Sequence, residues 1–236
     1  KGNMGDVYKV EGIVTAGNDK YLKYIWEVPQ NMIGTQFILY NKEHDAYVSD
    51  IKYVLDWRID TRGKILSSSS ARCAYLLDNY DEVLEKYNFK AGVAYKLVGN
   101  FRSCLLDNNA AFDVGTPAIL MDNCDYQKYV LALMNSKLYV FLSHLLNPTV
   151  NNTPGDVRRL PFVYPDKADK DELDYMTSRL LLNIERSKRF EQNSTLFECS
   201  EIKYGFESGA KSITEAYNLY LEDIKKIRKD MESLQD

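Results

Sequence analysis

An arginine pair that closely follows a run of amides is the part of this 236-residue sequence best suited to recognition chemistry. The stretch Leu146–Pro161 reads LNPTVNNTPGDVRRLP, in which Asn151 and Asn152 precede Arg158 and Arg159. Arginine can donate two hydrogen bonds to guanine, asparagine can pair with adenine, and arginine can also hold phosphate. The alternative is a helix-to-strand connection with solvated arginines, because charged loop residues usually face water.

A second pattern could support metal-dependent nuclease chemistry. Pro165–Asp166 followed by Glu201–Ile202–Lys203 loosely matches PD…ExK, in which two carboxylates and a lysine converge on a divalent metal from adjacent strands. Asp166 lies in a charged stretch, and a predicted helix separates it from Glu201. Solvated surface charge is therefore the favoured interpretation, and a nuclease using Asp166, Glu201 and Lys203 is kept as an alternative.

Several enzyme classes are disfavoured because their motifs are absent from the sequence. An amino-methyltransferase needs an Asn/Asp-Pro-Pro-aromatic loop to hold the extruded base, whereas Asn147–Pro148 is followed here by Thr149. There is no Gly-rich strand-to-helix loop for a cofactor, no GxSxG and no GxxxxGK[ST]. The four cysteines form no CxxC pair, and only two histidines are available for a zinc site. We expect neither a catalytic residue, nor a metal, nor a cofactor in this chain itself.

Composition and charge indicate a globular chain made of two parts. The sequence is 45% hydrophobic and 27% charged, with a formal net charge of −4. Residues 1–165 carry 18 Lys/Arg and 18 Asp/Glu, whereas residues 166–236 carry the other 12 and 16 and so the whole negative excess. The charged run 166–174 predicts a domain boundary. Scattered cysteines favour a cytoplasmic location, and polar interruptions in 129–146 favour a core helix over a membrane span.

The elements that must position the candidate residues follow from the hydrophobic pattern. The segment 7–14 alternates and is rich in β-branched residues, which predicts a strand, and short apolar segments predict further strands at 35–40, 53–57, 92–98, 101–106 and 116–121, with 21–28 either a strand or a short helix. Helical spacing predicts helices at 71–87, 126–146 and 172–190, whereas 191–212 has no regular pattern. The expected fold is α+β: a mixed-sheet domain with a packed helix at 1–165, then a helical spacer or coiled-coil-like tail at 166–236.

The C-terminal segment has a heptad seam, with apolar residues at alternating spacings of four and three. They are Ile213, Tyr217, Tyr220, Ile224, Ile227, Met231 and Leu234. A helix with such a seam over 213–234 needs a partner helix. The partner could be the helix predicted at 172–190, another chain, or a region outside this chain. A protein-interaction module that docks through the seam is therefore an alternative function.

Taken together and in order, seven segments resemble a region of large bacterial DNA methyltransferases. The region follows the catalytic domain in adenine-specific enzymes of the phage-growth-limitation (BREX) type and in related fused type II restriction–modification enzymes. The segments are Ala16–Val28 (AGNDKYLKYIWEV for TGDN-x-x-FLR-x-WWEV), Phe37–Lys42 (FILYNK), Tyr53–Trp57 (YVLDW for YVVNW), Gly92–Tyr95 (GVAY for GITW/Y), Phe112–Thr116 (FDVGT for FDVGG), Leu131–Lys137 (LALMNSK for LGFLNSK) and Asn147–Pro161 (for NPTLNFQVGDIAKLP). Ile25 replaces one Trp of WWEV, and Thr116 replaces the second Gly of FDVGG.

The resemblance implies a target-recognition domain similar to the specificity domain of TaqI-type methyltransferases. Such a chain is a fragment that recognises double-stranded DNA, while an N-terminal methyltransferase domain of the parent protein binds S-adenosylmethionine and methylates adenine N6. The loop-borne basic and amide residues expected to contact DNA are Lys20, Lys23, Arg62, Lys64, Arg102, Asn151, Asn152, Arg158 and Arg159. For each of them, a solvated surface position is an equally good interpretation.

Overall fold

The computed structural model describes residues 2–3, 8–10, 17–42, 45–61, 92–106, 110–121 and 124–235. The chain divides into two compact units, residues 1–165 and residues 166–236.

The strands are β1 Gly2–Asn3, β2 Tyr8–Val10, β3 Leu22–Tyr24, β4 Phe37–Asn41, β5 Tyr53–Asp56, β6 Gly92–Tyr95, β7 Ser103–Leu106, β8 Ala110–Phe112, β9 Ala118–Leu120 and β10 Pro161–Phe162. The helices are α1 Asn18–Tyr21, α2 Gln127–Asn135, α3 Lys137–Leu146, α4 Pro154–Arg159, α5 Lys167–Lys188, α6 Glu201–Glu207 and α7 Ile213–Gln235.

The described part of the first unit contains two four-stranded sheets and a two-stranded ribbon. One sheet is antiparallel, in the order β2-β9-β6-β7. The other has the order β3-β5-β4-β8 and is mixed, because β4 and β8 run parallel. β1 and β10 form the ribbon. The predicted α+β class with a mixed sheet is confirmed.

Strand β8 was not predicted, although it contributes to the cores of both sheets. Its side chains alternate between two faces, as in any strand. Ala111 belongs to the apolar cluster of the mixed sheet, with Ile38, Tyr40 and Leu55. Phe112 belongs to the cluster of the antiparallel sheet, which holds Ala94, Cys104, Leu106, Ala118 and Leu120. Three residues are too few to show a period, so the strand is recognisable only from its partner β4.

The single helix predicted at 126–146 is two helices, and this expectation was wrong. The helical stretch 124–135 and α3 meet at an angle of 69°. Ser136 leaves the helical conformation at the junction, with a ψ of 148°, and its Oγ accepts the Tyr139 N–H at 3.2 Å. Serine caps helix starts well because its hydroxyl satisfies an otherwise free backbone donor. Asn135, Ser136 and Lys137 interrupt the apolar pattern at the bend, but an exposed turn of one continuous helix would have the same pattern.

The second unit consists of helices α5, α6 and α7. The charged stretch 166–174, read from the sequence as a break, is the beginning of α5: Asp166 caps it by accepting the Asp169 N–H at 2.9 Å. The segment 191–212, expected to be irregular, contains α6. The partners of the heptad helix α7 lie in the same chain, because α7 packs against α5 and α6.

Among the described residues, no single helix has both the length and the apolar composition to cross a membrane. The bent pair of helical segments 124–135 and 137–146 reaches that length and apolar composition only when the two segments are taken together.

Candidate nucleic-acid interface

The loop after α3 is bonded to the hairpin that joins β6 to β7. The Gly99 N–H donates to the Val150 carbonyl at 2.8 Å, and the Asn152 N–H donates to the Leu97 carbonyl at 2.7 Å. Gly99 has a φ of +96°, a conformation that glycine adopts without steric cost. The two loops therefore form one surface feature, which we call the hairpin–loop cluster and define as residues 96–102 and 147–153.

Two neighbouring amides of this cluster have different surroundings. Asn152 is buried, and its Nδ2 donates to the carbonyls of Lys96 and Gly99 at 3.0 Å each. Both amide hydrogens hold the hairpin, which is a structural role. Asn151 is exposed beside Val98, with which it forms an isolated antiparallel bridge. The DNA contact expected of both residues stays a prediction, and the geometry leaves the side chain of Asn151 alone available for it.

The start of α4 is fixed by a compact polar network. Thr153 Oγ1 donates to Asp156 Oδ2 at 2.5 Å, and Asn147 Nδ2 donates to the same oxygen at 2.8 Å. Burial acts to raise the pKa of Asp156, but the hydrogen bonds from Thr153 and Asn147 outweigh it, so the pKa is lowered. Asn147, Thr153 and Asp156 are therefore architectural residues.

The arginine pair lies at the end of a short helix, where the sequence suggested only a polar turn. Arg158 and Arg159 form the last turn of α4 and are exposed, while the flanking Val157 and Leu160 are buried. Arg159 lies 3.6 Å from Asp156, measured from Nη1 to Oδ1, and 61% of its side chain is exposed. The burial of the flanking residues directs the two arginines to the surface, as a contact with DNA requires.

The other predicted residues fall into separate places. Arg102 is exposed in the hairpin–loop cluster, whereas Lys20 on α1 and Lys23 on β3 are exposed at the other, mixed sheet. Among the described residues, no hydrogen bond or ion pair joins Lys20 or Lys23 to that cluster. Arg62 and Lys64, like the helix expected at 71–87, lie outside the described residues.

A row of aromatic rings lies on the mixed sheet and was not predicted from the sequence. Tyr24 stacks on Trp26 with ring centroids 4.6 Å apart and on Tyr53 at 5.1 Å. Lys42 Nζ lies 5.0 Å from the centroid of the Tyr53 ring. The closely spaced aromatic residues of YLKYIWEV indicated part of this row in the sequence. Only the pairing of β3 with β5 brings Tyr53 beside Tyr24.

The residues of the nuclease-like pattern do not have the arrangement which that chemistry needs. Asp166 caps α5, and Glu201 and Lys203 lie in the first turn of α6 rather than on adjacent strands. Lys203 pairs with Glu207, with 3.7 Å between Nζ and Oε1. Within the described ranges, no group of three or more His, Cys, Asp or Glu side chains is placed to hold a metal ion.

Comparison with known proteins finds similarity among solved structures alone. No protein-family model and no curated protein matches the sequence. The chain is similar to the type IIL restriction–modification enzyme MmeI, whose structure was determined in complex with DNA, at a TM-score of 0.47 and 11% identity. The match covers 97% of this chain and 32% of MmeI, so the chain spans about a third of the length of that enzyme. A likeness of this strength is a resemblance in outline and assigns no family.

Proposed function

We propose that this chain is the DNA target-recognition part of a site-specific adenine-N6 DNA methyltransferase of the restriction–modification or phage-defence type. The observation that carries the proposal is the collinear run of seven motif segments, which extends from Ala16 to Pro161. In the parent protein, an N-terminal methyltransferase domain binds S-adenosylmethionine and carries out the methyl transfer. This chain contributes binding to double-stranded DNA and the choice of site.

The geometry of the first unit supports a division of roles within this proposal. Arg102, Asn151, Arg158 and Arg159 are exposed on loops or at a helix end, and buried neighbours hold the backbone beneath several of them. Arginine and asparagine side chains read guanine and adenine edges, and lysines such as Lys20 and Lys23 hold phosphate. Rigid support matters because hydrogen bonds to a base edge require a fixed backbone.

The alternative of an assembly module has less support. Its basis was the heptad seam of α7, which needed a partner. Ile224 and Ile227 are buried in a cluster with Phe190, and Tyr204 packs against the same cluster. The central part of the seam is therefore already covered by the chain's own helices.

The proposal is tested by measuring the affinity of the chain for duplex DNA over a range of salt concentrations. Lysine and arginine contacts to phosphate release counterions, so we expect a steep linear fall of log K with log salt. The assay is then repeated on a library of duplexes with the methyltransferase domain of the parent protein restored. Binding without any sequence preference in that complete protein would rule out a target-recognition role.

A further inference from the structure

The aromatic row of the mixed sheet ends at a ring that is open to solvent. Tyr40, Tyr53 and Tyr24 lie opposite one another on three adjacent strands, and their exposure rises from the sheet interior to its edge. Tyr40 is fully buried, whereas Tyr24 is 40% exposed and Trp26 is 60% exposed. One face of the Trp26 indole is covered by Tyr24 in a near-parallel stack of 9° interplanar angle. The exposed fraction of Trp26 therefore offers flat aromatic surface on which another planar group can stack.

The backbone holds this open end of the row in place. The turn 25–27 that carries Trp26 is anchored by the Ile25 N–H, which donates to the Lys52 carbonyl at 2.9 Å. The Tyr24 N–H donates to Glu27 Oε2 at 2.7 Å, which closes the turn on itself. A flat ring that is already ordered loses little conformational entropy when a ligand stacks on it. The row is therefore a preorganised platform, in contrast to a single exposed aromatic side chain.

Positive charge accompanies the row. Lys42 Nζ lies 5.0 Å from the centroid of the Tyr53 ring, and Lys20 is exposed on α1, the helix that leads directly into β3. Lys23 directly precedes Tyr24 on β3, so its side chain points to the other face of the sheet. Stacked aromatics next to lysines suit a ligand that has both flat bases and phosphates, as in the platforms that bind single-stranded nucleic acid.

We propose that Trp26, supported by Tyr24 and Tyr53, stacks on an unpaired DNA base. This deepens the proposed function and rests on it for the choice of DNA as the occupant. These aromatic residues are not among the DNA-contacting residues expected from the sequence. The platform captures a base that has left the duplex stack, and Lys20 and Lys42 supply positive charge for the adjacent phosphates.

The test compares two labelled duplexes that differ by one unpaired adenine, with affinity measured by fluorescence anisotropy. We expect the whole chain to bind the bulged duplex about 5- to 100-fold more tightly than the paired one, the range that stacking of one base on an aromatic ring supplies. Trp26→Leu keeps an apolar side chain without a flat ring and abolishes this preference, whereas Trp26→Phe keeps most of it. Tyr175→Leu alters another exposed aromatic residue, in α5, and serves as the matched control.

A spectroscopic measurement tests whether the base stacks on the Trp26 ring itself. The chain has two tryptophans, so Trp57→Phe leaves Trp26 as the sole indole emitter. We expect the bulged duplex to quench this emission, and the paired duplex to leave it unchanged.

The outcomes separate the platform from the proposed function. A wild-type chain without preference for the bulged duplex, or a preference that survives Trp26→Leu, overturns the platform while duplex binding still supports target recognition. Binding of the bulged duplex through Trp26 without any binding of the paired duplex supports the platform and overturns target recognition by this chain. A chain that binds neither duplex overturns the platform.

Discussion

Asn135 contacts the backbone of Ser103 as a neighbouring strand would. Its Nδ2 donates to the Ser103 carbonyl at 2.9 Å, and its Oδ1 accepts the Ser103 N–H at 3.0 Å. Ser103 is fully buried at the start of β7, so its peptide groups depend on protein partners. The contact fixes the end of α2 on the antiparallel sheet, immediately before the chain bends at Ser136.

Replacing Asn135 by alanine is expected to lower the free energy of unfolding by about 1–3 kcal/mol, because the buried Ser103 N–H loses its partner while the Ser103 carbonyl keeps the Tyr47 N–H. Urea denaturation measures the change. Asn151→Ala removes an exposed amide from the same unit and is expected to alter stability by less than about 0.5 kcal/mol. Equal stabilities of the two variants would contradict this account of Asn135.

Asn152→Ala is expected to lower stability, whereas Asn151→Ala is expected to lower DNA affinity. Loss of the two bonds from Asn152 to the hairpin carbonyls should cost about 1–3 kcal/mol of stability. Asn151→Ala should leave stability intact and weaken binding to the recognised DNA by about 1–3 kcal/mol, if Asn151 reads a base. Thermal unfolding and DNA titration of each variant separate the two roles. A stable Asn152→Ala variant would show that the amide does not hold the hairpin.

The arginines of α4 should act on DNA affinity rather than on folding. Arg158→Ala is expected to reduce the magnitude of the log K against log salt slope by about 1 if the residue contacts phosphate. A contact with a base instead costs about 1–3 kcal/mol and relaxes specificity at one position. Arg228→Ala removes an exposed arginine from α7 and is the control. Equal losses from Arg158→Ala and Arg228→Ala would indicate nonspecific charge attraction.

A methyl group at Gly205 should push α6 away from α7. A Cβ built there lies 2.3 Å from both the Cα and the carbonyl oxygen of Ala216, a fully buried residue. Since backbone atoms cannot move aside cheaply, Gly205→Ala is expected to cost about 1–3 kcal/mol or more. Gly155→Ala is the matched control, because its nearest neighbour would be 3.7 Å away in the short helix α4. Guanidinium denaturation of both variants tests the contrast, and a neutral Gly205→Ala would refute the close approach of α6 and α7.

Asp56 should make stability depend on pH in the acid range. The hydrogen bond from Arg58 is the main cause that lowers the pKa of this carboxyl below its ordinary value of 3.8, against the effect of burial. A lowered pKa in the folded state stabilises the protein fully above the unfolded value, and this contribution is lost as pH falls through the folded value. Because Arg58 is 58% exposed and solvent screens the pair, the contribution is about 1 kcal/mol.

Asp56→Asn should therefore be less stable than the wild type near neutral pH, with a difference that shrinks as pH falls below 3.8. Urea titrations at several pH values measure it. Asp19→Asn removes an exposed carboxylate on α1 and is the control for the loss of one negative charge. A constant difference between Asp56→Asn and the wild type at every pH would exclude the ion pair as its source.

Local patterns were enough for much of the framework. The short apolar segments around β4, β5, β6, β7 and β9 form strands that are buried on both faces, and such continuous apolar runs are visible in the sequence. The heptad helix of 213–234 was visible from its apolar spacings of four and three, and the unequal division of charge from a count of the charged residues. Resemblance to the methyltransferase family likewise depends on the sequence alone, since its motifs stand in order along the chain.

Pairwise relationships between distant residues were decided by the tertiary structure. The sequence could not assign Asn152 to the hairpin instead of to DNA, because the acceptors of its amide lie more than fifty positions away. It also could not show the bend at Ser136, where the serine caps a second helix, or the covering of the α7 seam by α5 and α6. By itself the sequence determined most of the strands, the C-terminal helix and the family that the motif segments resemble. Only the folded chain decided which polar groups support the framework and which are exposed for binding, because burial and hydrogen-bond partners arise from contacts between distant residues.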